Sequence, residues 1–196
     1  MFSARELFVI RGDRIVFEGV GFDLAPGGAL LVFGRNGAGK STLLRILAGL
    51  RRPDSGQVLR DGADIFADRE AHMARVAWLS HQDAVKPGLT VRENLLFAAR
   101  IQGGAIGRAL ERMALEHLAD LPARMLSSGQ RRRLALARTM LGDRPLWILD
   151  EPANGLDAAS AALLAEAIAI HRGKGGMVCA ATHLDLALPD AAVLTL

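Results

Sequence analysis

A chain of 196 residues that is 51% apolar can bury a core of its own, as one compact unit or as a core with a small attached lobe. Its apolar runs are strand-sized, which excludes a membrane-spanning helix, and the opening MFSARELFVI is too short for a signal peptide, so a cytoplasmic protein is expected. The pI of 9.7 comes with a net charge of only +3, no tyrosine and three lysines (Lys40, Lys86, Lys174), and so gives little support to nucleic-acid binding; with Cys179 as the one cysteine, no internal disulfide is possible.

In chain order, Leu7 to Arg11 and Arg14 to Phe17 read as strands joined at Gly12-Asp13, a hairpin signal that places a small antiparallel lobe first. Ala29 to Phe33 is a continuous apolar run of buried-strand type, and Ser41 to Ala48 carries helix formers up to Gly49 as a stop. Between them stands GRNGAGKST, which fits the phosphate-binding pattern of a glycine-rich turn opening a helix. Gly34, Arg35, Asn36, Gly37, Ala38, Gly39, Lys40, Ser41 and Thr42 are therefore the candidate ATP-binding segment. The glycines permit positive φ and close backbone approach, Lys40 would reach the β- and γ-phosphates, and Ser41 would ligate Mg²⁺.

After the turn cluster Arg52 to Gly56, Gln57 to Arg60 is a further antiparallel strand, and Val76 to Ser80 is a core strand ending at His81-Gln82, where ligands bind such sheets; Gln82 is a site candidate. Thr90-Val91-Arg92-Glu93 matches a capping box opening a helix through about Ile101, broken by Gly103-Gly104. Ile106, Leu110, Met113, Ala114 and Leu118 then recur at helical spacing. Leu126 to Gln130 (LSSGQ) begins another helix, running through Met140, where a serine can serve as N-cap, so a helical insertion of about residues 85–141 divides the core strands. Arg131-Arg132-Arg133 within it reads as the solvated face of a helix rather than as an anion contact.

Pro145 to Pro152 (PLWILDEP) is a second apolar strand ending in two acids. Downstream of a phosphate-binding loop, Asp150 would hold Mg²⁺ through water and Glu151 would polarise the water that attacks the γ-phosphate; the alternative is a solvated acidic pair. A helix from Ala158 to about Ile170, a turn at Gly173 to Gly176, a strand Met177 to Thr182 ending at His183, and a strand Val193 to Leu196 complete the chain, which leaves no room for a regulatory domain. Taken alone, His183 would be read as a satisfied core histidine.

With Gly34 to Thr42, Gln82, Leu126 to Gln130, Asp150-Glu151 and His183 in this order, the whole chain resembles the nucleotide-binding subunits of ABC transporters. The resemblance implies an α/β fold: a P-loop NTPase core of ABC ATPase type with a small antiparallel β lobe and a helical subdomain, over residues 1–196 as one domain. It also implies a homodimer that clamps two ATP molecules head to tail. Ser127, Gly129 and Gln130 would then meet the nucleotide of the opposite copy, Gln82 would touch Mg²⁺ or the attacking water, His183 would brace the γ-phosphate, and Asp157 would link the two sites. Two departures stand out: Arg11 occupies the place of the aromatic that usually stacks on adenine, so a guanidinium plane would hold the base, and Asn154-Gly155 differs from the commoner small pair.

RGDR at Arg11, LTVRENLLF at Leu89, LPARMLSSGQRRRLALAR at Leu121, PLWILDEP and ATHLDL at Ala181 look like the ATP-binding subunits of haem exporters in bacterial cytochrome c maturation. That likeness implies an ATPase of the translocase class, bound peripherally to the cytoplasmic face of the inner membrane through integral-membrane permease subunits of the haem exporter, with no direct nucleic-acid partner. It would drive haem export or release of a haem-loaded chaperone. An efflux ATPase for another small substrate and a soluble ABC-type ATPase stay open as alternatives.

Overall fold

The structure, a computed structural model, describes residues 1–183, 186 and 188–196. Leu184 and Asp185 of the ATHLDL string lie outside the described residues.

Two sheets organise the chain. A five-stranded parallel sheet runs in the order β6 (Val76–Leu79), β7 (Leu146–Asp150), β8 (Met177–Ala181), β3 (Ala29–Phe33), β9 (Ala192–Thr195). The central strands β3, β7 and β8 are almost continuously apolar because both faces are covered, and their alternate residues enter different cores, whereas the edge strand β9 is largely exposed. Leu30, Val32, Leu146, Ile148, Met177, Cys179 and Ala181 join a cluster with the antiparallel sheet and α1 (Lys40–Leu47). Ala29, Leu31, Trp147, Leu149, Val178 and Ala180 join a second cluster with α3 (Val91–Gln102), α4 (Ile106–Arg112), α5 (Ser128–Thr139) and α6 (Ala158–Gly173). Cys179 is fully buried in the first cluster, and that burial pushes its thiol pKa up to about 12.

The antiparallel sheet runs in the order β2 (Arg14–Leu24), β1 (Phe2–Arg11), β4 (Ser55–Arg60), β5 (Ala63–Asp64). The expected hairpin is present, with Arg11 opposite Arg14 across Gly12-Asp13, but β1 and β2 are longer than the sequence pattern indicated. The cause is a bulge: Glu6 has φ +46°, which shifts the register between Ala4 and Leu7 and breaks the period-2 alternation. Gly56 faces that bulge, where a Cβ would lie 2.3 Å from the Glu6 carbonyl oxygen.

At eight residues, α1 is too short to be stable alone. Its Leu43, Leu44, Ile46 and Leu47 are wholly buried, each worth roughly 1.5–3 kcal/mol, and that packing holds the helix in place. The capping box at the start of α3 forms as expected, with Glu93 N donating to Thr90 Oγ1 (3.1 Å) and Thr90 N to Glu93 Oε2 (2.8 Å). By contrast α4 ends at Arg112, earlier than the spacing of Met113, Ala114 and Leu118 suggested. Ala114 takes φ +48° and turns the chain, so that Met113 and Leu115 are both buried outside the helix. Among the described residues no helix is long and apolar enough to cross a membrane.

His72, on α2 (Arg69–Met73), is buried under the antiparallel sheet with Nε2 2.9 Å from the Leu47 carbonyl oxygen and Nδ1 3.1 Å from Arg60 Nη1. These partners assign the neutral tautomer that donates from Nε2 and accepts at Nδ1. Burial lowers its pKa below the usual 6.5, the Leu47 bond opposes the shift, and Arg60 adds to it. Half-buried His171 shifts the same way, chiefly through burial. A base whose folded pKa is depressed gives stability that is full above the unfolded pKa and is lost as pH falls. Urea midpoints should therefore drop as pH falls through and below the ordinary histidine pKa of about 6.5, with a shallower drop in His72→Gln.

Candidate functional site

Because the five strands of the core sheet are parallel, the loops after β3, β6, β7 and β8 emerge at one edge, where open α/β sheets bind ligands. A cleft of about 720 Å³ opens there. The loop from Arg35 to Gly39 and the first turn of α1 form its floor, Arg11, Arg14 and Val16 of the β1–β2 hairpin one wall, and His81, Asp150 and Glu151 the other.

Gly34, Gly37 and Gly39 all adopt positive φ, at 150°, 85° and 104°. Gly39 caps α1, whose first turn contains no acidic residue, so the positive end of the helix faces the cleft uncompensated. Lys40 is 8% exposed and folds back over the loop, its Nζ donating to the carbonyl oxygens of Gly34 (2.7 Å) and Arg35 (3.5 Å). Ser41 and Thr42 line the same cleft. Free amides, a helix N-terminus and an ammonium on one concave surface suit a polyphosphate.

Asp150 ends β7 and is 2% exposed. Glu151 follows with φ +50°, its amide donating to the Ala181 carbonyl of β8 (2.9 Å) and its Oε2 lying 2.8 Å from His183 Nδ1. His183 is thus an exposed side chain paired with the acid, and not a core histidine. The Ser41 hydroxyl and Asp150 carboxylate are hard oxygen donors on one cleft, which suits Mg²⁺. Among the described residues no group of three His, Cys, Asp or Glu side chains is placed to hold a metal.

Other expected residues stand elsewhere. Gln82 is exposed and lines a neighbouring cavity with Trp78, Asp83 and Arg144, while His81 faces the nucleotide-sized cleft; the Ser80 hydroxyl donating to the Gln82 carbonyl turns the chain at this point. Ser127, Gly129 and Gln130 are absent from the cleft wall. They open α5 through a second capping box, with Gln130 N donating to Ser127 Oγ (3.2 Å) and Ser127 N to Gln130 Oε1 (2.9 Å). A Cβ on Gly129 would sit 3.1 Å from the Gly155 carbonyl, so this helix end packs on the Asn154-Gly155 loop. Asp157 caps α6 by accepting from Ser160 N (2.8 Å), and the bonds from Ser160 hold its carboxyl below the usual range.

The arginine run departs from the solvated-face expectation. Arg131 and Arg133 donate to main-chain carbonyls at Leu126 and at Met113 and Ala114, and Arg132 is buried at 4% exposure. Helical spacing does not single out Arg132: Leu134 to Ala137 are all apolar and buried, so each of the three arginines falls three and four residues before buried positions of α5. Sequence reasoning also missed Arg14 and Val16, whose local strings carry no site signal, and it chose Gln82 over His81 at the end of the same strand, although His81 is the one that lines the cleft.

The ABC transporter family matches residues 17–154, and the chain belongs to that family. The solved structure of an ATP-binding subunit of an ABC transporter is 25% identical, covering all of this chain and 85% of that one at a TM-score of 0.87. A dimeric bacterial ABC transporter cassette, 24% identical over the whole chain and 94% of its own, shares the fold at a TM-score of 0.84. A relative from Rhodospirillum rubrum, the cytochrome c biogenesis ATP-binding export protein CcmA, is 49% identical over 199 residues, spanning all of this chain and 85% of its own length. The branch of the family is therefore that of CcmA.

A Cβ at position 39 would meet Val16 Cγ1 at 2.5 Å and Phe17 Cδ1 at 3.0 Å in a backbone that L side chains rarely adopt. Strain of about 1–3 kcal/mol on the cradle should weaken ATP binding roughly five- to 150-fold in Gly39→Ala. Titration calorimetry checks this, with Gly107→Ala, where the added Cβ meets nothing within 4 Å, keeping wild-type affinity.

Proposed function

We propose that the chain is the ATP-hydrolysing subunit of a membrane ABC exporter serving cytochrome c biogenesis, folded as one nucleotide-binding domain over residues 1–196 with a helical subdomain at about 85–141. The observation that carries the reading is the Glu151–His183 pair at the rim of the cleft whose floor holds Lys40.

In this reading the amides of Gly34 to Thr42 and the Lys40 ammonium hold the phosphates, and Arg11 stacks its guanidinium on the base. Bound Mg²⁺, held by Ser41 and Asp150, would offset charge on the β- and γ-phosphates. Glu151 accepts a proton from the water as it attacks the γ-phosphorus in line with the leaving ADP oxygen. His183 fixes the Glu151 carboxylate and braces the γ-phosphate, and Gln82 would serve the bound metal or the attacking water.

Ser127, Gly129 and Gln130 have no place in their own cleft, yet they form an accessible helix N-terminus. That supports a head-to-tail homodimer in which they grip the partner's ATP while Asp157 ties the sites together, as the dimeric form of the structurally similar cassette suggests. The name of the 49% identical relative supports export in cytochrome c biogenesis, and the local strings support haem, or a haem-loaded chaperone, as what is moved or released. Integral-membrane permease subunits would hold the ATPase at the cytoplasmic face of the inner membrane.

Glu151→Gln should lose about 10²–10⁴-fold of partner-stimulated ATPase while still binding ATP. In a deletion strain of the host, wild type but not Lys40→Ala should restore covalent haem in c-type cytochromes on a stained gel. Normal cytochromes in the uncomplemented strain would instead point to efflux of another substrate.

A further inference from the structure

One buried cation has no role in the chemistry above. A guanidinium carries five N–H groups, and in Arg132 every one has an acceptor. Nε donates to Pro152 O (3.2 Å), Nη1 to Ser80 O (3.2 Å) and Asp83 Oδ1 (2.8 Å), and Nη2 to Asp150 O (2.8 Å) and Glu151 O (2.6 Å). Its acceptors come from two segments far apart in sequence: the end of β7 with its two acids, and the turn after β6 that carries His81 and Gln82. Arg138, also on α5, donates to the Asp83 and Ala84 carbonyls of that same turn.

We propose that Arg132 is a positioning residue for ATP hydrolysis, and this rests on the reading of Glu151 as the base. Its bond to the Glu151 carbonyl holds that residue at φ +50°, the conformation in which the carboxylate meets His183. Arg132 also lies on the helix opened by Ser127, about 7 Å along the axis from it. A nucleotide gripped at the N-terminus of α5 therefore moves the same rigid element that sets the base and the turn bearing Gln82. The phosphate loop is not among the Arg132 partners: Lys40 Nζ donates to the Gly34 and Arg35 carbonyls and Ala38 N to the Arg35 carbonyl.

Substitution should thus slow the chemical step and spare ground-state binding. The experiment uses the complex purified from host membranes through a tag on this chain, comparing wild type, Arg132→Gln and Arg132→Lys. Fluorescent ATP analogue titration should give affinities within about threefold of wild type, while kcat falls about 100-fold in Arg132→Gln, the scale of a small misplacement of a reacting group, and less in Arg132→Lys, which keeps the charge and three donors. Wild-type kcat in Arg132→Gln overturns the proposal, as does a raised KM with kcat unchanged. Should Arg132→Gln fail to fold, a folded Arg132→Lys with wild-type kcat overturns it equally. Absence of Lys40-dependent hydrolysis in the wild-type complex would refute the ATPase reading instead. Amide exchange then decides the positioning: faster exchange at both 80–84 and 150–153 in Arg132→Gln supports the link, and unchanged protection removes it.

Discussion

Everything at the functional edge depends on burying both faces of one parallel sheet. An apolar strand covered on two sides cannot end in polar chemistry anywhere except at its tip, because a polar group in the middle would lose its water without gaining a partner. β3 spends its whole length on Leu30, Val32 and their neighbours and releases the chain into the glycine loop; β7 does the same and releases it at Asp150 and Glu151. Parallel direction then brings the phosphate cradle and the acids to one edge without any further device.

Placement at an edge is coarse, and the finer geometry comes from hydrogen bonds that oppose backbone strain. A non-glycine residue in the left-handed region costs about 1–2 kcal/mol, and Glu151 accepts that cost where its carboxylate must point. Its carbonyl bond from the Arg132 guanidinium, a hydrogen bond to a charged group, contributes roughly 1.5–3 kcal/mol and is of the size needed to offset it, and the neutral amide bond to the Ala181 carbonyl adds roughly 0.5–1.5 kcal/mol. The buried guanidinium in turn is tolerable only because five acceptors, the Asp83 carboxylate among them, replace its water. Cation, strained acid and turn form a single unit whose members are not independent.

The sequence was most legible where local chemistry and fold agree. Ala29–Phe33 and Thr90 with Glu93 were placed to the residue, since a continuous apolar run and a reciprocal cap each have one physical use. Strand lengths in the hairpin were not, because the bulge at Glu6 shifts the alternation on which strand reading rests. Similarly, Leu118 kept helical spacing although the chain had already turned at Ala114, so spacing alone did not reveal where α4 stops. For the site, Lys40, Asp150 and Glu151 were visible as motifs, whereas His81, Arg14 and Val16 meet the cleft only through folding. Arg132 was hidden by its neighbours: three arginines in a row suggest solvent, and the apolar run Leu134 to Ala137 gives all three the same helical spacing to the core, so only the fold shows that the middle one points inward.

Burial of Cys179 has a practical side. A thiol whose pKa lies at about 12 is ionised in only about one molecule in 10⁵ at neutral pH, and this one is the chain's only sulfhydryl and has no exposed surface. Maleimides, spin labels and thiol cross-linkers would pass over the native chain in silence. A cysteine placed anywhere on the surface would be the only reactive sulfur, so the approach of two copies can be followed by labelling with no native residue removed.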